Sequence, residues 1–479
     1  MSILKRKNLN SMVRTAKASE LRHNLTYVDI TLFGIGAVVG TGIFVLTGIG
    51  AAKYAGPGMT LSFIFAGLTC GFVALAYAEL TAMLPVTGSV YTYTYSIFGE
   101  IIAWIVGWAL VLEYSLAAAV VSAGWSAYVT STLKQFNVVI PKVLSTSIWN
   151  GGIVDLPGAL IIIVLTFLLV RGTKESAKVS RILVGIKLGA IFIFLFLAAP
   201  KINVANWTPF LPFGVNGIFT GASFAFFAFL GFDVLSNMSE ETVKPSRDLP
   251  VGIICTLITV TILYMAVSAV LTGVVKYTEL DTAAPVVFAL EKVGYRFGSA
   301  IVGTGIIFGL TTVVLVAMYG LNRMFLAMSR DGLIPLKLCK IHSKYRTPYI
   351  ITIICGVMIV IAESALPVDI LAELINLGTL FAFMLASAGI FALRLHHPEI
   401  ERPFKCPYPF VIMPLAIVCC GYLMIHLNRV TWLFFIYWTI FGLMIYMLFG
   451  YWNSRLHRAS EFGKIRRIAI RIKSRYERK

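Results

Sequence analysis

Long apolar runs, one after another and separated by short polar loops, constrain this chain more than any other feature of it. Twelve can be placed, at residues 27–55, 59–84, 100–130, 157–171, 178–199, 216–240, 250–273, 297–327, 347–363, 368–393, 407–427 and 430–452. Most are long enough for a helix to cross the hydrocarbon layer of a bilayer. They are continuously apolar rather than alternating, which excludes barrel strands. The expected fold is an all-α polytopic membrane protein with 12 transmembrane helices. The fourth and ninth runs are short and are expected to extend into their flanking loops.

Charge agrees with this reading. Only 13% of the 479 residues are charged, too few to cover a soluble surface. The formal net charge of +18 comes from short loops and tails. Basic residues gather before the first span (Lys5, Arg6, Lys7, Arg14, Lys17, Arg22) and after the fourth (Arg171, Lys174, Lys178, Arg181). They recur after the sixth (Lys244, Arg247), the eighth (Arg323 to Arg346), the tenth (Arg394, Arg402, Lys405) and the last, in "IRRIAIRIKSRYERK". The intervening loops carry few. Both termini are therefore expected in the cytoplasm, with the chain a multi-pass protein of the cell membrane. Residues 1–26 and 453–479 read as basic cytoplasmic tails flanking a transmembrane domain at 27–452. The C-terminal tail fits either a plain basic segment near anionic headgroups or an interfacial amphipathic helix. Membrane lipids, not nucleic acid, account for the charge, since no recognition motif is present. The first apolar run is too long for a signal peptide and reads as a retained span. Seven cysteines and six histidines show no disulfide or metal-ligand spacing, so no metal and no cofactor is expected. No nucleophilic triad is apparent, and the chain does not read as an enzyme.

Two spans carry residues that an unbroken helix would avoid. In "TLFGIGAVVGTGIFVLTG", Thr31 to Gly48, Gly40 and Gly42 flank Thr41 at about mid-depth. Gly34 and Gly36 fit close helix packing. A break at Val38 to Phe44 would free the first amides of a second half-helix, a natural anion site. In "GASFAFFAFLGFDVLSNMSEE", Gly231 and Asp233 interrupt an aromatic run. Asp233 either faces a partner or caps a half-helix. Two interrupted helices, the first of one set of five and the first of the next, point to inverted repeats at about 27–199 and 216–393, with 407–452 added. Such a pair suits a zwitterion. The amides of Thr41 and Gly42 can hold a carboxylate. Carbonyls left open at Val38, Phe227, Ala228 and Leu230 can take an ammonium. The side chain of the substrate would then meet Phe227, Phe232 and Met318. Gly42→Val is expected to block such a site by filling it.

Ionisable residues at depth are few. Lys187 in "RILVGIKLGAIFIF" must snorkel, pair, or lose its proton. Glu113, Glu79 and Glu373 can be structural hydrogen-bonding carboxyls or pathway residues, with Glu79 near a span end and so structural or gating.

The segments "GIGAVVGTGIFVLTG", "AYAELTAMLPVTGSVYTYTY", "FFAFLGFDVLSNMSEETVKPSRDLP" and "LNRMFLAMSRDGLIP" together resemble the amino acid–polyamine–organocation superfamily. More closely, they resemble its cationic amino acid transporter branch and that branch's bacterial relatives. The resemblance runs from about Leu21 to Trp452. It implies a leucine-transporter-like fold, with 5+5 inverted repeats plus two C-terminal helices, working by alternating access. It implies that Gly40, Thr41 and Gly42 bind the carboxylate of an L-amino acid, and that Phe227, Ala228 and Leu230 bind its amino group. Lys187 matches a lysine that replaces a bound sodium ion in proton-coupled relatives, which makes the proton a second partner. Glu113 and Asp233 match acidic positions near the substrate. The bulk of Met318 and the lack of an evident carboxylate for a long cationic side chain favour neutral amino acids. A cationic substrate, exchange or facilitation without proton coupling, an amino acid sensor, and an accessory subunit or cholesterol-like lipid are left open.

Overall fold

The computed structural model describes residues 25–83, 89–172, 177–233, 235, 242–345, 347–396, 398–399 and 402–455. The basic tails, apart from 25–26 and 453–455, and parts of the second and third resemblance segments lie outside them. Among the described residues, seven helices are long and apolar enough to cross a membrane, and five shorter apolar helices accompany them. They resolve into twelve spans. The first is α1 (Tyr27–Val38) followed by α2 (residues 42–55), and the second is α3 (Met59–Met83). A short helix α4 (Ser89–Ile97) precedes the third span, α5 (Glu100–Gln135). Then come α6 (Leu156–Arg171), α7 (Ala177–Ala198) and α8 (Gly214–Ala225), the last continued by a tighter turn, Phe226–Phe229. The seventh span is α9 (Pro245–Val274), and a short α10 (Pro285–Lys292) leads to α11 (Arg296–Arg330). The last four are α12 (Tyr349–Ala365), α13 (Val368–His396), α14 (Pro409–Ile425) and α15 (Arg429–Asn453).

Local chemistry sets the ends. The Asp29 carboxylate accepts from the amide and hydroxyl of Thr26, closing the start of α1. Asp155 accepts from the amide of Gly158 at the start of α6, and Asn428 from Val430 at the start of α15. Prolines sit in the first turn of α6, α9, α10 and α14, where a missing N–H costs nothing. The short fourth span gains one residue over its sequence-based limits, and the ninth shifts by two residues without lengthening. The third and eighth run several residues further, to Gln135 and Arg330.

The core is built where long helices lie side by side. α11 packs along α5, α3 along α9, and α13 along α14 and α5. α7 and α9 hold α1. The outermost helices α14 and α15 present apolar faces outward, as a lipid-facing surface does: Val418, Ile425, Leu433, Tyr437 and Leu448 are exposed.

Candidate functional site

Both interrupted spans break where the sequence places glycine. α1 ends at Val38, and Val39 is extended (φ −71°, ψ 101°). The chain re-enters a widened helical turn at Gly42–Leu46. The amides of residues 41–43 open this second half-helix, and a helix's first amides have no partner within it. In the sixth span, Leu230 turns extended (φ −62°, ψ 147°), and Gly231 has φ +104°, a region that side chains rarely occupy.

The two breaks touch. A Cβ at Gly42 would overlap the Cα and Cβ of Ala228 and stand 3.1 Å from its amide. Gly42 is thus a point of backbone contact between two half-helices. A side chain there would collide with Ala228. Tyr264 of α9 binds the pair together: its hydroxyl lies 2.6 Å from the Ala228 carbonyl and 3.0 Å from that of Val38, within donating distance of both. These two carbonyls, expected to be open, therefore face a donor from the protein. The Phe227 carbonyl accepts from the amide of Leu230 at 3.2 Å. A carbonyl has a second lone pair, so each can still accept from a ligand. On the far side, Asn376 of α13 donates to the carbonyls of Ser223 and Phe224, at 2.7 and 3.2 Å, just before the turn.

Beside the breaks lies a cleft walled by both interrupted spans and two further helices. The first span lines it with Ala37, Val38, Gly40, Thr41 and Gly42, and the sixth with Phe227, Leu230 and Gly231. α5 contributes Glu113, Tyr114, Ala117 and Val121, and α11 contributes Val313, Val316 and Ala317. The wall is chiefly apolar. The Thr41 hydroxyl and Glu113 Oε2 are buried there without a hydrogen-bond partner among the described residues.

Four residues expected in the site lie off this lining: Ala228, which meets Gly42 instead, Met318, Phe232 and Asp233. Met318 is buried one position beyond Ala317, and a step of one residue rotates a helix by about 100°. Phe232 follows Gly231 and packs edge-on against Tyr77, 6.0 Å between ring centres, with Phe383 at 5.1 Å. Asp233 is buried, and its Oδ2 accepts from the hydroxyl of Tyr114 at 3.2 Å, one residue along from Glu113. Sequence reading missed Tyr114, Tyr264, and the wall residues Ala117 and Val121 of α5 and Val313, Val316 and Ala317 of α11. The spacing of Glu113, Ala117 and Val121, four residues apart on one helix face, was the available signal.

Lys187 does not snorkel. It is fully buried, and its Nζ donates to the carbonyls of Gly36 at 2.8 Å and Val39 at 2.7 Å. It thereby satisfies backbone acceptors at the end of α1. Its stem lies against Gly309 of α11, so one side chain joins α7, α1 and α11.

The ends of the bundle are tied by ion pairs and hydrogen bonds. At one, Lys53 pairs with Asp369 at 2.8 Å and approaches Asp281 at 3.9 Å. Beside it, Glu373 accepts from Tyr54 at 3.1 Å and Thr431 at 2.8 Å, a structural role. At the other, the fully buried Glu79 accepts from Arg394 through both oxygens and from the amide of Cys406 at 2.8 Å, and it forms an ion pair with Arg402 at 3.3 Å. Among the described residues no group of three or more His, Cys, Asp and Glu is arranged to hold a metal.

The family model described as amino acid permease matches residues 25–449. The branched-chain amino acid permease BcaP of Bacillus subtilis (strain 168) is 43% identical over 95% of this chain and 99% of its own length. The methylthioribose transporter of the same organism is 40% identical over 95% of this chain and the whole of its own length. Cationic amino acid transporter 9, chloroplastic, of Arabidopsis thaliana is 36% identical over 85% and 74%. The cationic branch is therefore not favoured over the branched-chain permeases. Such relatives are permeases and transporters, not enzymes. The chain belongs to the amino acid permease family, within the amino acid–polyamine–organocation superfamily.

Proposed function

We propose that this permease takes up neutral, aliphatic L-amino acids across the cell membrane in symport with protons. The observation that carries the reading is the apolar cleft against two broken helices. Its α5 and α11 walls offer Ala117, Val121, Val313, Val316 and Ala317 to a side chain, while both helix ends offer backbone groups to a zwitterion. The amides of residues 41–43 hold the carboxylate, aided by the half-helix dipole and the Thr41 hydroxyl. The carbonyls of Phe227 and Leu230 hold the ammonium. Val38 and Gly40 shape the floor, and Ala228 acts through its contact with Gly42 rather than through the ligand.

Lys187 is the proton carrier in this scheme. Charged, it donates to Gly36 and Val39 and holds α1 against α7. Neutral, it keeps two hydrogens for those carbonyls but loses the charge that strengthens both bonds, and α1 is held less firmly. The paired breaks support two inverted repeats, at 27–199 and 216–393, moving about this point in alternating access. The count of basic loops supports cytoplasmic termini. Asp233, held by Tyr114, and Glu113 set the electrostatics of the cleft.

A second reading is a cationic substrate, which the buried and unpartnered Glu113 Oε2 would suit. The resemblance to a methylthioribose transporter adds an uncharged thioether sugar as a third ligand to try. The test is uptake of labelled leucine, valine, alanine, arginine and methylthioribose into proteoliposomes, with and without an inward proton gradient. Gradient-stimulated accumulation of the aliphatic amino acids supports the proposal. Arginine or the thioether sugar as the preferred substrate overturns its specificity. Uptake indifferent to the gradient overturns its coupling.

A further inference from the structure

A second acidic cluster lies away from the cleft, where α5, α6 and α12 pack together. Asp155 caps α6, and Glu363 is near the end of α12. Glu363 is 1% exposed and Asp155 5%. Both carboxyls close on Gly158. Its amide donates to Asp155 Oδ1 at 3.4 Å, and a Cβ built on Gly158 would overlap Glu363 Oε1. The Ser126 hydroxyl donates to Asp155 through a short hydrogen bond. Neither oxygen of Glu363 has a hydrogen-bond partner among the described residues. Ser122 stands beside Glu363, but its hydroxyl donates to the Ala119 carbonyl at 2.9 Å.

Among the described residues the charged group that acts on Glu363 is Asp155, and α5 presents the hydroxyls of Ser122 and Ser126. No lysine, arginine or histidine of α5, α6, α11 or α12 is set against either carboxyl. Two buried carboxylates without a cation repel each other and have lost their hydration, so the pair is unstable fully ionised. A proton on one of them removes a charge and with it the repulsion.

We propose that Asp155 and Glu363 form a buried carboxyl pair that holds a proton, a protonation site separate from Lys187 where α6 meets α12 beside α5. Burial holds the Asp155 carboxyl above its usual range, against the opposing pull of Ser126 and the Gly158 amide. Near neutral pH the folded protein then keeps a proton that the unfolded chain has already released, so its stability falls as pH rises through the folded value. This site does not depend on the transport reading.

The test is thermal unfolding of the purified full chain in detergent, from about pH 6 to about pH 9, the range a buried carboxyl occupies. The wild-type midpoint is expected to fall as pH rises. Glu363→Gln is expected to remove most of that fall and to equal or exceed wild type at the alkaline end. Asp155→Asn is expected to reduce it too. A Glu363→Gln midpoint that falls in parallel with wild type overturns the proposal. Infrared difference spectra of the wild type read the proton directly, should a variant not fold. A carboxylic C=O band lost on alkaline titration supports the pair, and no such band overturns it. A midpoint raised by sodium over choline chloride, in wild type but not in Glu363→Gln, makes the occupant a sodium ion and also overturns it.

Discussion

Gly42 and Ala228 meet backbone to backbone at the point where two spans are interrupted, with no room for a Cβ between them. Gly42→Ala is therefore expected to push the half-helices apart. The cost is about 1–3 kcal/mol, as for other overpacked sites. Thermal shift should show a lower midpoint, and labelled amino acid binding should be lost. Gly40 is different. The nearest atom to a Cβ there is a methyl of Val313 at 3.4 Å, ordinary contact across the cleft. Gly40→Ala should fold normally and discriminate against larger side chains, weakening leucine binding more than alanine binding. Equal effects on both ligands would place the substrate side chain elsewhere.

Tyr264 supplies one hydroxyl to two carbonyls, and no other hydrogen-bond donor to the Ala228 carbonyl is described. Tyr264→Phe keeps the ring against Phe63 and Phe229 and removes only that donor. A loss of about 1–3 kcal/mol is expected for the stranded acceptors. Denaturant unfolding in detergent measures it, and an unchanged midpoint would mean that the hydroxyl holds neither break.

Glu79 gathers two guanidinium groups and the amide of Cys406. Glu79→Gln takes the carboxylate away from Arg394, whose side chain is largely buried, and breaking a buried pair costs about 3–5 kcal/mol in other proteins. Cys406 reports the event. Burial, with the Glu79 carboxylate adding and Arg394 opposing, pushes its thiol up to about 11. In the wild type it should resist maleimide at neutral pH, since the thiolate is the reactive form. Faster labelling of Cys406 in Glu79→Gln is the expected result, and no change in rate would show that this tie does not hold the segment before α14.

Much of this architecture was legible in the sequence because a bilayer enforces it. Helix existence follows from apolar length, and the breaks follow from Gly40, Thr41, Gly42 and Gly231 at depths where glycine is costly. What was illegible depends on neighbours. No local pattern announces that Tyr264 reaches across to Val38 and Ala228, or that Ser122 and Ser126 stand by a carboxyl pair. Met318 against Ala317 shows the limit within one helix. The sequence marks α11 as a wall, but the choice between adjacent residues depends on helix rotation, which only packing decides. Phe232 shows another. Past Gly231 the backbone turns through positive φ, and helical register no longer carries over.

Lys187 reaches the first break through two carbonyls, and its loss should separate coupling from binding. Lys187→Met keeps the length of the stem and removes the donor. It is expected to bind leucine still, yet to lose stimulation of uptake by an inward proton gradient. Stimulation equal to wild type would remove Lys187 from the proton path.

The most direct measurement is a density map of the protein with leucine bound. The account predicts a carboxylate at the amides of residues 41–43, an ammonium at the carbonyls of Phe227 and Leu230, and a side chain against Val121 and Val316. Leucine lodged away from the cleft, with both interruptions vacant, would contradict it.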